Sequence, residues 1–192
     1  IAQDLSKKEA KADILELKEN LEKYHPGLNR YTSGDSTDYF FELVNSRIDE
    51  TTKVLDLYRE VTYLLNKVRC GHTRPRLSES AKEKFVANNR FLPIMVKFLG
   101  DKLYVKEVLD QTLEIEKGDE ILSINGLGIK SITQQIFEHH SSDGFINESK
   151  FRLTERYFSY YYQLYLNHDH ATFELQLKNK SGEIIQVGCE GA

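Results

Sequence analysis

The sequence contains no tryptophan, one methionine and only two cysteines among its 192 residues. Its aromatic side chains are 11 tyrosines and 10 phenylalanines, which must therefore supply much of any hydrophobic core. The two cysteines, Cys70 and Cys189, lie far apart along the chain. They fit either two buried thiols or one disulfide bond, because sequence alone does not establish their separation in space.

Long apolar runs and clusters of basic residues are also lacking. No uncharged apolar run is long enough to cross a bilayer. The formal net charge is −4 and the basic residues are scattered, which argues against a nucleic-acid partner. The first residues, Ile1 to Asp4, show no basic and then apolar signal region. With 29% charged and 40% hydrophobic residues, the composition is that of a globular protein with one domain or two small ones.

The first part of the chain has helical periodicity. Ser6 and Glu9 fit a capping box at the start of a helix, and Pro26 and Gly27 end that helix. Gly71 suits a left-handed cap at the end of a later helix. Apolar residues at intervals of three and four predict helices over about residues 6–24, 37–48, 53–69 and 78–88.

The pattern changes near Phe91, after which alternating and β-branched residues predict strands. Gly100-Asp101 and Asn125-Gly126 are hairpin signals. The predicted strands cover residues 91–99, 102–108, 121–124, 173–177 and 184–187, and the predicted helices cover residues 131–140 and 148–167. We therefore predict an α+β fold with a helical N-terminal domain, residues 1–89, and a mixed second domain, residues 90–192.

Several segments occur in the order found in one family of enzymes. The chain resembles the N-terminal portion of a tail-specific (C-terminal processing) serine peptidase of the tricorn-like branch. The Gly-His-Thr segment that ends at Thr73 resembles the signature that closes the helical domain of that family. The Gly-Asp-x-Ile-x-x-Ile-Asn-Gly pattern resembles the core of its PDZ-like domain. The segments that carry the resemblance are residues 25–28, 30–32, 69–73, 117–126 and 142–144.

The resemblance implies that a PDZ-like domain, a small β-barrel or sandwich with inserted helices, follows the helical bundle. It also implies that His72 is the general base, since an imidazole titrates near neutral pH and accepts a proton from a serine hydroxyl. The nucleophilic serine and the acidic helper have no counterpart among the motifs matched. We therefore expect the α/β catalytic domain to be missing from this sequence and the fragment alone to be inactive.

Other interpretations of these residues are weaker. A histidine just after a helix also serves to bond the last free carbonyls. A Cys70–His72 nucleophile pair is disfavoured, because we expect side chains this close in sequence at a helix end to point apart. His139-His140 and His168-Asp169-His170 lack the further ligands of a metal site. No cofactor motif is present, and we predict neither a metal nor a cofactor.

A PDZ-like domain binds an extended peptide by adding it to a sheet edge. By analogy with that fold, the receiving strand is residues 92–98 and a helix forms the other wall of the groove. The alternative is that the aromatic helix of the chain itself fills the groove. The candidate peptide-binding residues are Leu92, Pro93, Ile94, Ile132 and Ile136.

These patterns predict the non-catalytic front half of a serine endopeptidase, in which His72 serves catalysis and the PDZ-like segment recognises or gates the substrate. Its partners would be a polypeptide substrate or protein C-terminus and the missing catalytic domain. The alternatives are a stand-alone peptide-binding or adaptor module and a degenerate peptidase. The resemblance alone implies export to the periplasm or cell envelope.

Overall fold

A computed structural model describes residues 5–167 and 170–192. The described residues form two compact units. The first comprises the described residues up to Lys84 together with Glu138–Asn147, and the second comprises Phe85–Phe137 and Glu148–Ala192. Helices precede an antiparallel sheet, so the predicted α+β class is confirmed.

The first unit is helical. Its helices are α1 (Lys7–Tyr24), α2 (Gly34–Arg47) and α3 (Val54–Val68), and a fourth helix, α4 (Glu79–Asn88), runs on into the second unit. The capping box is present, since the Ser6 hydroxyl accepts from the Glu9 amide and the Glu9 carboxylate accepts from the Ser6 amide. Helix α2 begins three residues earlier than predicted, because the Ser33 hydroxyl caps it by accepting the Ser36 amide. The apolar faces meet in a core of Ala10, Ile14, Leu21, Leu28, Phe41, Val44, Ile48, Leu64, Leu65 and Val68.

The predicted left-handed cap at Gly71 is wrong. Arg69 adopts that conformation instead, with a φ of 57°, at a cost of about 1–2 kcal/mol for a residue with a side chain. Two contacts within the unit offset this cost. The Gly144 amide donates to the Arg69 carbonyl at 3.0 Å, and the Arg69 guanidinium lies 4.2 Å from the centre of the Phe145 ring.

The second unit is built on a six-stranded antiparallel sheet. Its strands are β1 (Ile94–Leu99), β2 (Lys102–Val108), β3 (Glu120–Ile124), β4 (Leu127–Gly128), β5 (Thr172–Lys178) and β6 (Ile184–Glu190), in the order β1-β2-β3-β5-β6 with β4 beside β3. Both predicted hairpins form, since Leu99 pairs with Lys102 and Ile124 pairs with Leu127. Asn125 and Gly126 have φ values of 50° and 76°, as a type I′ turn requires.

The helices of the second unit are shorter than predicted. Helix α5 covers Ile129–Phe137 and ends before His139 and His140. The long helix predicted over 148–167 is divided into α6 (Glu148–Arg156), α7 (Phe158–Tyr162) and a π-helix (Gln163–Asn167). The segment contains neither glycine nor proline, so the break at Tyr157 has no signal in the local sequence. The residues on either side of it, Glu155 and Ser159, bond to the backbone of β1.

Candidate active-site cleft

An open cleft of about 1380 Å³ lies within the first unit. Its walls come from the segment that follows α1, from the end of α3, and from Asp143. The segment after α1 contributes His25 and Tyr31, and the end of α3 contributes Cys70 and His72. The Gly-His-Thr signature, the His-Pro-Gly segment and the Ser-Asp-Gly segment of the sequence therefore meet at this cleft.

His72 lies on the wall of the cleft. Its side chain is 88% exposed, and its Nδ1 lies 3.7 Å from Oδ1 of Asp143. That separation is too long for a hydrogen bond but short enough for a charge contact with a protonated imidazole. The ring is thus open to an incoming group while a carboxylate faces one of its nitrogens.

Asp143 is positioned by the backbone of the same signature. The Gly71 amide donates to Asp143 Oδ1 at 2.8 Å. A β-carbon on Gly71 would lie 3.2 Å from that oxygen, so the carboxylate approaches closely because residue 71 has no side chain. Asp143 has no predicted role, although it lies in the Ser-Asp-Gly segment, whose resemblance to the family is the signal that could have identified it.

His25 supports the segment that carries His72. The Gly27 amide donates to His25 Nδ1 at 3.2 Å, which places the proton of the neutral ring on Nε2. Nε2 in turn lies 3.0 Å from Thr73 Oγ1, so the ring donates to that hydroxyl. The Thr73 amide donates to the Cys70 carbonyl at 3.2 Å, which closes a turn around Gly71 and His72.

Cys70 does not point away from His72, contrary to our expectation. Its sulfur, one imidazole nitrogen of His72 and a carboxylate oxygen of Asp143 all lie within 4.8 Å of one another. Thiolate, imidazole and carboxylate are the ligand types that zinc prefers. Both cysteines are free thiols, so the disulfide alternative is wrong.

The other candidate metal ligands are placed differently. His139 Nδ1 lies 2.9 Å from Thr62 Oγ1 and 3.2 Å from the Arg59 carbonyl. Burial is the largest cause that lowers the pKa of His139, to about 4. His140 is buried. In the other predicted group, His168-Asp169-His170, the residues His168 and Asp169 lie outside the described residues.

The five predicted peptide-binding residues lie in the core of the second unit. The outer edge of β1 already has partners: the Ser159 hydroxyl contacts the Leu92 and Ile94 carbonyls at 2.8 and 3.3 Å, and the Phe98 amide donates to Glu155 at 3.2 Å. A peptide that pairs with this edge would have to displace both side chains. The predicted residues are buried: Leu92, Pro93, Ile94, Ile132 and Ile136.

Comparisons with known proteins find a structural likeness. No protein-family profile matches the sequence, and no curated protein matches it. Solved structures of CPAF, a chlamydial serine protease, are similar to it at 16% identity. The TM-scores are 0.65 for mature CPAF, 0.68 for mature CPAF complexed with lactacystin and 0.67 for a serine-to-alanine mutant.

Each match covers 96% of this chain and 34% of the CPAF chain, so the chain spans about a third of the length of these proteases. At this identity the likeness shows only that the chain shares its fold with part of CPAF. Among the described residues, no helix combines the length and the apolar character needed to cross a membrane.

Proposed function

We propose that this chain is the non-catalytic front part of a serine endopeptidase and that His72 is its general base. The observation that carries the proposal is the placement of His72, a nearly fully exposed imidazole on the wall of a cleft with Asp143 3.7 Å from Nδ1. A histidine buried in the helical core would have been unable to reach another segment. The peptidase-like fold supports the proposal independently.

In this proposal the nucleophilic serine belongs to polypeptide outside these 192 residues. With a proton on Nδ1, His72 accepts the serine proton on Nε2 and later returns it to the leaving amine. Asp143 faces Nδ1 and stabilises the imidazolium that forms in between. In the open cleft this exposed pair is worth about 0–1 kcal/mol, and the attraction grows when another segment covers the site and excludes water.

The second unit, in the same proposal, is a PDZ-like domain that recognises or gates a polypeptide substrate or a protein C-terminus. Peptide addition at β1 is compatible with its geometry only if α6 and α7 give up the bonds from Glu155 and Ser159 to that strand. Such a requirement would make peptide binding a gated event. We also propose export to the periplasm or cell envelope and membership of the tricorn-like branch, both on the resemblance of the sequence.

The test uses the protein that the complete gene encodes. We expect His72→Ala to lower kcat for a peptide substrate by about 10²–10⁴-fold, the usual contribution of a general base, without changing the thermal unfolding midpoint. His170→Ala, which changes an exposed histidine of the second unit, is the control and is expected to retain activity. Undiminished hydrolysis by His72→Ala would refute the assignment. Wild-type protein that neither hydrolyses peptides nor reacts with a fluorophosphonate would instead favour the adaptor or degenerate peptidase.

A further inference from the structure

We propose that Cys70, His72 and Asp143 form a zinc site in this chain. They are the one group of at least three histidine, cysteine or acidic residues in the described part of the chain whose ligand atoms lie close enough to share a metal ion. Two ligands come from the turn after α3 and the third from the segment 138–147, which belongs to the same compact unit. The proposal concerns binding and does not require the chain to be part of a peptidase.

The chemistry of the three side chains selects the metal. A thiolate and an imidazole are poor ligands for magnesium or calcium, which take oxygen ligands. Zinc binds sulfur, nitrogen and oxygen together, and sites with three protein ligands leave the fourth tetrahedral position to water. The exposure of His72 and Asp143 provides that open position and a route of entry for the ion.

The distances suit this coordination. Tetrahedral zinc with ordinary bond lengths holds its ligand atoms about 3.4–3.6 Å apart. His72 Nδ1 and Asp143 Oδ1 are already 3.7 Å apart, and the three ligand atoms lie within 4.8 Å of one another. Because two of the side chains are exposed, rotations that move their ends by about 1 Å would close the site.

Hydrogen bonds from the surroundings help to hold the ligands in place. The Gly71 amide orients Asp143, as outer hydrogen bonds do in known metal sites. Two arginines lie nearby, but Arg74 Nε donates to the Gly71 carbonyl at 2.6 Å, and the Arg69 guanidinium stacks on Phe145. These contacts fix where the two guanidinium groups lie, but both keep their positive charge, which the anionic thiolate and carboxylate ligands must outweigh.

Zinc would also regulate catalysis, a consequence that rests on the proposed function. A neutral imidazole has one lone pair. If zinc takes that pair at Nδ1, Nε2 carries the proton and cannot accept another from a serine. Zinc binding and general-base catalysis by His72 would then exclude each other.

Binding is tested on the 192-residue chain with cobalt(II) as a spectroscopic probe and zinc as the competitor. We expect a thiolate-to-cobalt charge-transfer band that zinc abolishes. Cys70→Ser should remove the band, and Cys70→Ser, His72→Ala and Asp143→Asn should each weaken zinc binding at least about a hundredfold, more than the 10–100-fold loss typical of an outer residue. Cys189→Ser is the matched control, since Cys189 is buried in the second unit, and should leave both measurements unchanged.

The zinc site is refuted if the band persists in Cys70→Ser or if the three variants bind zinc as tightly as the wild type. Neither result depends on hydrolysis, so failure of the zinc site leaves the His72→Ala test of the peptidase proposal intact. Conversely, zinc binding with undiminished hydrolysis by His72→Ala would preserve the metal site and reject the general base.

Discussion

Replacement of His139 by glutamine tests how the segment that carries Asp143 is held in place. His139 lies in that segment, near the Thr62 hydroxyl and the Arg59 carbonyl of α3. Burial is the main cause that lowers the pKa of its imidazole to about 4. The hydrogen bond to the Arg59 carbonyl acts against this shift, and the positive charges of Arg59, Lys67 and Arg47 add to it. The folded protein therefore keeps this ring neutral at pH values where the unfolded chain protonates it.

The sign and size of the effect follow from that difference. The ordinary pKa of histidine is 6.5, so between about pH 6.5 and pH 4 the unfolded state binds up to one proton more than the folded state. Above this window His139 does not reduce the free energy of unfolding, and that free energy falls as the pH is lowered through the window. The slope is at most about 1.4 kcal/mol per pH unit, which amounts to about 3 kcal/mol over the whole window. Below about pH 4 this histidine causes no further loss, because both states are protonated.

The assay is urea unfolding of the wild type and His139→Gln from about pH 4 to pH 7. Glutamine does not titrate, so we expect the variant to lose up to about 3 kcal/mol less than the wild type as the pH falls. We compare how the free energy of unfolding changes with pH because the substitution also lowers that free energy by an amount that does not depend on pH. As the pH is lowered, protection of the Gly71 amide from hydrogen exchange should decrease in the wild type, and it should decrease less in the variant. Equal slopes for the two proteins would refute the reasoning, and His170→Gln, which changes an exposed histidine, should follow the wild type.

Three further substitutions probe the fold and the site. In Gly71→Ala the new β-carbon would lie 3.2 Å from Asp143 Oδ1. We expect a loss of about 1 kcal/mol in urea unfolding and a crystal structure in which the carboxylate has moved away from residue 71; an unmoved carboxylate would contradict this. Asn167→Ala removes the hydrogen bonds that the Asn167 side chain makes with Asn125 and Gln163 at 2.9 and 2.7 Å, so the free energy of unfolding should fall by about 3 kcal/mol in the same assay. A loss below about 1 kcal/mol would show that water replaces these bonds. Ser6→Ala removes the capping box of α1, so the free energy of unfolding should fall by about 1 kcal/mol and circular dichroism should show fraying of α1. Unchanged helicity and stability would count against the cap.

Local patterns predicted most of the secondary structure. Helix starts depend on side chains within three residues, as at Ser6, and tight hairpins depend on two residues, as at Asn125-Gly126. The start of α2 was missed although its cap at Ser33 is local. Two other errors occurred where distant parts of one unit contact each other. Arg69 takes the left-handed conformation because residues 144 and 145 contact it, and the aromatic helix breaks at Tyr157 where the flanking residues Glu155 and Ser159 bind β1.

The candidate site shows the same division. The Gly-His-Thr segment singled out His72, but its carboxylate neighbour is 71 residues away in the sequence, and nothing in the spacing of the two connects them. The likeness to CPAF extends over nearly the whole chain, while the chemistry depends on side-chain distances that the likeness does not supply.

The sequence by itself determined the α+β class, the order of most helices and strands, and the two hairpin turns, because short-range periodicity and turn chemistry govern each of these. The choice of His72 came from the resemblance of the Gly-His-Thr segment to the signature of a peptidase family. Only the tertiary structure decided that Asp143 and Cys70 share the cleft with His72 and that the edge of β1 is already bonded. Those facts depend on the docking of segment 138–147 beside α3 and of α6 and α7 on the sheet. Both are long-range packing contacts, and no local sequence pattern predicts which distant segment takes part in them.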